Sequence, residues 1–277
     1  MRMAVAEVLS NPEQILKHLP DKNLSDAYVY ISGSHMEGFG YEKSDIDVYV
    51  IYNNIPDFKT KNEDYSGESL LWEGTTLVRN LIYDDIRFDF EYWDKKEFNK
   101  AVHLLKTFNF SNDEEKFKIS DAEIDLLHRL KYAKPISVID EFMQFHSTIP
   151  FENLGYYQAT IASERIASFI EDIQGALLSN DLGSSFFMVR RLVELSTVSY
   201  LAVHGETNPN LKWLYRKILR FQQNKGDNVL LENYLYFQTH PFNEKSVREF
   251  VKKAMRFAQE LNMKTQKELQ AKHIIKP

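Results

Sequence analysis

Two aspartates one residue apart, Asp45 and Asp47, stand at the head of the apolar run Ile46-Val48-Tyr49-Val50-Ile51. On a β-strand, side chains two apart share a face, so both carboxylates project together while Ile46 and Val48 turn to the core. Two unpaired carboxylates that close repel and raise each other's pKa. A divalent cation between them removes that cost, and an all-oxygen donor set selects Mg²⁺ or Mn²⁺. A third acid, Asp89, sits between Phe88 and Phe90 on a later apolar stretch. If the two stretches are neighbours, three carboxylates converge, which suffices for a two-ion site.

Ten residues separate Asp45 from an upstream Gly33-Ser34, at the end of the apolar run Ala27 to Ile31. A strand that ends in glycine and opens into a helix of a turn or two, from Ser34 to about Gly40, presents free N–H groups. Such a turn can hold phosphate, with glycine allowing close backbone approach and the Ser34 hydroxyl donating. Other phosphate motifs are absent. Gly33 and Gly38 have Walker-like spacing, but Phe39-Gly40 follows where Lys-Ser/Thr is needed, and Gly38-Phe39-Gly40 leads to Lys43 rather than a third glycine. No His-Glu-x-x-His occurs.

These residues need a frame that places three strands side by side. Ala27–Ile31, Asp45–Tyr52, Thr76–Tyr83 and Ile86–Trp93 read as strands, with Asp84-Asp85 turning the last two, and Ile55 to Gly74 reads as polar and irregular. Ahead of them Val5, Val8, Leu9, Ile15, Leu16 and Leu19 fall at helical spacing, broken or capped by Pro12. From Lys95 onward the period is helical. Stripes run through Ala162–Leu177, Val189–Val203 (stopping before Gly205) and Val247–Leu261, and the tail after Met263 reads as frayed. The fold class is therefore α+β, a mixed sheet flanked by helices followed by an all-α bundle. The expected domains are 1–115 and 116–277, divided within Ser111 to Ser120.

The chain has 277 residues and a net charge of −6. Residues 1–119 hold 14 Lys/Arg against 22 Asp/Glu. No basic stripe for a long nucleic acid is visible. There is no cysteine, which removes disulfides, thiolate nucleophiles and cysteine-type zinc sites and fits a reducing cytoplasm. Met1 to Asn11 does not read as a signal peptide and no apolar run reads as a membrane span. The expected location is cytoplasmic.

The segment Gly33-Ser34-His35-Met36-Glu37-Gly38, then Lys43-Ser44-Asp45-Ile46-Asp47-Val48, then Asp89, resembles the DNA polymerase β-like nucleotidyltransferase superfamily. The resemblance implies a nucleotidyltransferase sheet in which Asp45 and Asp47 share the metal ions. Asp89 ligates the catalytic ion or takes the acceptor's proton, and Gly33, Ser34 and Ser44 belong to the nucleotide-binding turn. The helical half is similar to the substrate domain of kanamycin- and lincosamide-type antibiotic nucleotidyltransferases, on Val189–Glu194 and the later Asn210-Leu211-Lys212-Trp213-Leu214. By that likeness Lys212 reaches the triphosphate, and Glu194 or Arg190 faces the acceptor unless the two form an intrahelical ion pair. The implied reaction moves a nucleoside monophosphate, AMP by default, from a nucleoside triphosphate to a hydroxyl of a small molecule, an antibiotic among the candidates, and releases pyrophosphate. A protein side chain, an RNA end or a second nucleotide are alternative acceptors, and a non-catalytic nucleotide-binding or antitoxin-like module is the alternative to an enzyme. The likeness further implies a homodimer, although the helical half shows no stripe assignable to an interface. Glu91 shares the strand face of Asp89 and reads equally as a helper base or as an exposed strand acid, whereas His35, Asp84 and Asp85 read more simply as solvated or turn residues.

Overall fold

The structure is a computed structural model and describes residues 5–21, 24–56, 58, 66–109, 118–207, 210–226 and 228–275. The chain divides into two compact units, residues 1–106 with 125–149, and residues 107–124 with 150–277. Residues 125–149, which follow the boundary expected from sequence, thus pack with the first unit. Most of the stretch expected to divide the domains, residues 111–117 of 111–120, lies outside the described residues.

The first unit is built on a six-stranded sheet in the order β3-β4-β5-β2-β1-β6. Its strands are β1 Tyr28–Ser32, β2 Ile46–Tyr52, β3 Ser66–Glu73, β4 Thr76–Tyr83, β5 Ile86–Asp94 and β6 Lys134–Pro135. Only β2 and β5 pair in parallel, and the other four pairings are antiparallel. The helices of this unit are α1 Val5–Ser10, α2 Glu13–Leu16, α3 Gly33–Met36, α4 Lys95–Thr107, α5 Asp121–Lys131 and α6 Ile139–His146; α5 begins in the segment assigned to the second unit. Pro12 separates α1 from α2 by standing at the N-cap of the latter, a position where its missing N–H costs nothing.

Alternation along the strands sorts the sheet's two faces. Val29, Ile31, Ile46, Val48, Val50, Phe88, Phe90 and Tyr92 join Val8, Ile15 and Leu19 in one core. The opposite face carries Tyr28, Tyr30 and Tyr49. Tyr30 stacks on Tyr49 with centroids 5.2 Å apart, and Phe142 of α6 meets Tyr30 at 5.4 Å.

Two expectations are corrected in this unit. The stretch from Ile55 to Gly74 is not irregular throughout, because Ser66–Glu73 forms β3 and pairs with β4 from Leu70↔Arg79 to Glu73↔Thr76. As an edge strand it leaves Leu71 and Trp72 exposed and carries no continuous apolar face. The helix expected to run a turn or two from Ser34 is one turn, Gly33–Met36, and ends short of Gly40. Beyond it Phe39 and Gly40 both donate backbone N–H bonds to the Ser34 carbonyl at 2.8 Å. The Asp84-Asp85 turn is formed with φ of 52° and 62°, the twist that joins two antiparallel strands tightly.

The second unit is helical. It comprises α7 Glu152–Leu178, α8 Leu182–Val203, a short 3₁₀ turn Leu211–Trp213, α9 Leu214–Lys225, α10 Val229–Thr239 and α11 Val247–Ile275. The three stripes read from the sequence meet in one core, through Ile166, Ile173, Val189, Leu192, Val193, Phe250, Val251 and Ala254. Gly205, at φ 89°, donates to the Ala202 carbonyl at 2.9 Å and closes α8. The tail after Met263 is not frayed: α11 continues to Ile275, with Thr265 and Leu269 buried and Gln266 donating to Ser163 Oγ at 2.6 Å.

Helices α7 and α8 touch at Gly155. A Cβ built there would lie 2.1 Å from the backbone carbonyl oxygen of Ala202. Gly155→Ala therefore forces two helix backbones apart and is expected to cost about 1–3 kcal/mol. Gly175, on the same helix, has nothing within 4 Å of its added Cβ, so Gly175→Ala should gain about 0.5–1 kcal/mol. Chemical denaturation of both variants checks the pair; equal effects of the two substitutions would contradict this packing.

Candidate active site

The site is written in the register of the sheet. β2 and β5 run parallel with Asp47 opposite Asp89 and Tyr49 opposite Glu91. On the other side of β2, Ser32 stands opposite Asp47. Because in-register partners project to the same face, Ser32, Asp47 and Asp89 form one row across the sheet, and Tyr30, Tyr49 and Glu91 form the next. Asp45 precedes β2 by one residue and shares the face of Asp47 by period two.

Gly33 follows Ser32 at φ 77°. An added Cβ would lie 1.7 Å from Asp47 Oδ2. The carboxylate of Asp47 thus rests in the space a side chain would fill, which ties the glycine to the aspartate through sterics. Ser34 is buried. Ser44 uses its hydroxyl locally, accepting from the Tyr41 N–H at 2.9 Å, while its carbonyl oxygen lies 3.1 Å from His35 Nε2.

Arginines that the sequence reading did not single out stand among these acids. Arg87 Nε lies 3.0 Å from Asp89 Oδ1 and 3.7 Å from Asp45 Oδ2, so one guanidinium spans two carboxylates. Arg129 Nη1 lies 3.9 Å from Asp47 Oδ2, and its Nε is 3.4 Å from Asp125 Oδ2. Arg129 is set in place by the docking of α5. Its carbonyl accepts from Ser32 Oγ at 2.6 Å, and the preceding His128 meets Glu37, after α3, at 2.9 Å in a buried pair. No motif in the sequence advertised either arginine. Arg87, two residues before Asp89 and so on the same strand face, was the more legible of the two by period alone.

The acids outnumber these cations. Burial pushes the Asp47 carboxyl up to about 6, with Arg129 opposing and Asp89, Asp45 and Asp125 adding to the rise. Asp89 is also raised, first by burial, although Arg87 pulls it back. Burial lifts Glu91 to about 7, even though it accepts from Tyr49 Oη at 3.0 Å and Trp93 Nε1 at 3.3 Å.

Among the described residues, no three acidic or histidine side chains already stand at the spacing of a closed metal site. The donor chemistry nonetheless fits an oxygen-liganded divalent cation. The set is carboxylate only, Arg87 spans Asp45 and Asp89 as a cation would, and Asp47 is left with charge that its neighbours only partly neutralise.

The remaining sequence candidates lie in the helical unit. Lys212 is exposed in the 3₁₀ turn, its Nζ 5.4 Å from the Trp213 ring centroid. Glu194 pairs with Arg191, three residues before it, so the ion pair expected between Arg190 and Glu194 is not the one formed. Arg190 instead donates to the Gln238 carbonyl, and Gln238 Nε2 returns a bond to the Arg190 carbonyl at 2.9 Å. Among the described residues no helix is long and apolar enough to cross a membrane.

Residues 12–127 match the family described as Nucleotidyltransferase domain. They include Gly33, Ser34, Asp45, Asp47 and Asp89, and the mixed sheet with its helices is the fold of that domain. No curated protein matches the chain. A solved structure of a nucleotidyltransferase-like protein from Exiguobacterium sibiricum 255-15 is similar at 8% identity and a TM-score of 0.44, covering 93% of this chain and 73% of that one.

The raised Asp47 carboxyl has a consequence for stability. The folded state holds this proton up to about pH 6, whereas the unfolded chain gives it up near its ordinary value of 3.8. Between those values the folded state binds more protons, so stability falls as pH rises through the window and stays lower above it. Asp47→Asn mimics the protonated side chain. In metal-free protein it should gain about 1–3 kcal/mol at pH 8 and nothing near pH 4. Thermal unfolding against pH checks this; destabilisation by Asp47→Asn at pH 8 would contradict it.

Proposed function

We propose that this nucleotidyltransferase-domain protein is a Mg²⁺- or Mn²⁺-dependent enzyme that moves AMP from ATP to a hydroxyl group of a small molecule and releases pyrophosphate. The observation that carries the reading is the row in which Asp47 and Asp89 are in-register partners on parallel strands, with Asp45 two residues upstream and Gly33 giving Asp47 its space.

Asp45, Asp47 and Asp89 are the residues that would hold the ions. When bound, such ions neutralise the triphosphate and make the acceptor hydroxyl a better nucleophile. The chain's own groups do the rest. The acceptor oxygen attacks the α-phosphorus in line, the bond to the β-phosphate oxygen breaks, and pyrophosphate leaves. The hydroxyl proton passes to Asp89, which stands in register with Asp47 on the neighbouring strand. Gly33 and Ser34 approach the outer phosphates, and Ser44 keeps the turn before Asp45 closed through Tyr41. Arg129, held by Ser32 and Asp125, offsets the negative charge around Asp47 before nucleotide arrives. Lys212 is assigned to the triphosphate and Glu194 and Arg190 to the acceptor side on the likeness of the helical half alone. The acceptor is small because no basic track for a polymer is visible; an antibiotic is the first class to try.

Incubation with ATP and Mg²⁺ across panels of aminoglycosides, lincosamides, nucleotides, RNA ends and proteins tests the reading. Pyrophosphate release together with an acceptor heavier by one AMP is the expected outcome for a small molecule. Asp45→Asn, Asp47→Asn and Asp89→Asn should each lower transfer by about 10²–10⁴-fold while the fold is retained. Transfer only to a polymer would reassign the acceptor. Nucleotide binding without pyrophosphate release on any panel would favour a non-catalytic module.

Gly33→Ala gives an independent check. The new methyl group meets Asp47 Oδ2, and the backbone there sits at φ 77°. Transfer should fall at least as far as in Asp47→Asn, with a stability loss of about 1–2 kcal/mol from the left-handed backbone. Wild-type activity in Gly33→Ala would show that the contact has no role.

A further inference from the structure

The helical unit contains a cavity of about 590 Å³, and Glu194 is the one residue in its lining that the proposed reaction also names. That volume lies within the range of pockets that take small organic molecules. Its apolar lining comes from Ile124, Ile161, Leu195 and Val198, with Ala162 beside Ile161 on α7. All the lining residues belong to the second unit.

Its charges do not balance by pairing. Arg191 and Glu194 both line the cavity and are bonded to each other. Asp121 opens α5, where the positive end of the helix answers its charge. Arg165 is different. Its neighbours three and four residues away on α7 are Ile161, Ala162, Ser168 and Phe169, none of them acidic. Among the described residues no carboxylate pairs with it. An exposed cationic side chain thus stands at the edge of the cavity with no ion-pair partner among the described residues, beside Gln158 as a further polar group.

We propose that this cavity is a second small-molecule site, and that it takes an organic anion with an apolar body and one acidic group. The body replaces water against Ile124, Ile161, Leu195 and Val198. The acidic group pairs with the Arg165 guanidinium, whose forked donors suit a carboxylate, sulfonate or phosphate.

Anilinonaphthalene sulfonate, an aromatic body bearing one sulfonate, is a suitable probe. Fluorescence and calorimetric titration of the full chain should show one saturable site. Arg165→Gln should weaken binding by about tenfold or more, the loss expected for a charge-assisted bond. Arg256→Gln, an exposed arginine on α11 outside the cavity, should leave it unchanged. Ala162→Phe fills the cavity and should abolish binding. Because a core substitution can disturb folding, the neutral probe phenylnaphthylamine supplies a second measurement. It should bind wild type about tenfold less tightly than the sulfonate and should not distinguish wild type from Arg165→Gln. Absence of a saturable site, or sulfonate binding that is indifferent to Arg165→Gln, overturns the proposal. So does an equal loss in Arg256→Gln.

Discussion

Mutual repulsion among Asp45, Asp47 and Asp89 is the constraint around which the first unit is arranged. Like charges on one face of a sheet are unfavourable in a low-dielectric setting unless a cation or a proton answers them. The strands hold them there regardless, because Ile46, Val48, Phe88 and Phe90 alternate with them and are buried on the other face. A one-residue slip of β2 against β5 would exchange those apolar side chains for the acids. The core that stabilises the sheet therefore also fixes the position of its least favourable charges.

The structure answers the repulsion in three ways. Arg87 spans Asp45 and Asp89, Arg129 approaches Asp47, and Asp47 holds its proton to about pH 6. None of these is a strong neutraliser at neutral pH. Half of the Arg87 side chain is exposed to water, which screens its attraction. Arg129 is divided between Asp47 and Asp125. What is left is a site with excess negative charge, a backbone that approaches it closely at Gly33, and donors that are all oxygen. Such a site gains more from a divalent cation than from any side chain present.

Much of this was legible in the residues themselves. Period two placed Asp45 with Asp47, the apolar flanks placed Asp89 on a strand, and paired aspartates marked the β4–β5 turn. Helical stripes located α7, α8 and the body of α11. Other features depended on tertiary contacts that no local pattern encodes. The length of α11 beyond Met263 rests on burial of Thr265 and Leu269, which a lysine-rich composition hides. β3 forms by pairing with β4 at the sheet edge, and its one apolar run, Leu70-Leu71-Trp72, is too short to mark a strand alone. Arg129 reaches Asp47 only because Ser32 and the Glu37–His128 pair dock α5 beside β1, a contact between segments far apart in the chain. The pairing of Glu194 with Arg191 rather than Arg190 was decided by Gln238 on another helix.

Crystals of the chain grown with Mn²⁺ and a non-hydrolysable ATP analogue would test the central claim most directly, since manganese identifies itself by anomalous scattering. The account predicts an anomalous peak within bonding distance of carboxylate oxygens from Asp45 and Asp47, with Asp89 directed at the same centre and Arg87 moved off it. Manganese bound elsewhere, or nucleotide seated without any ion between it and these three carboxylates, would contradict it.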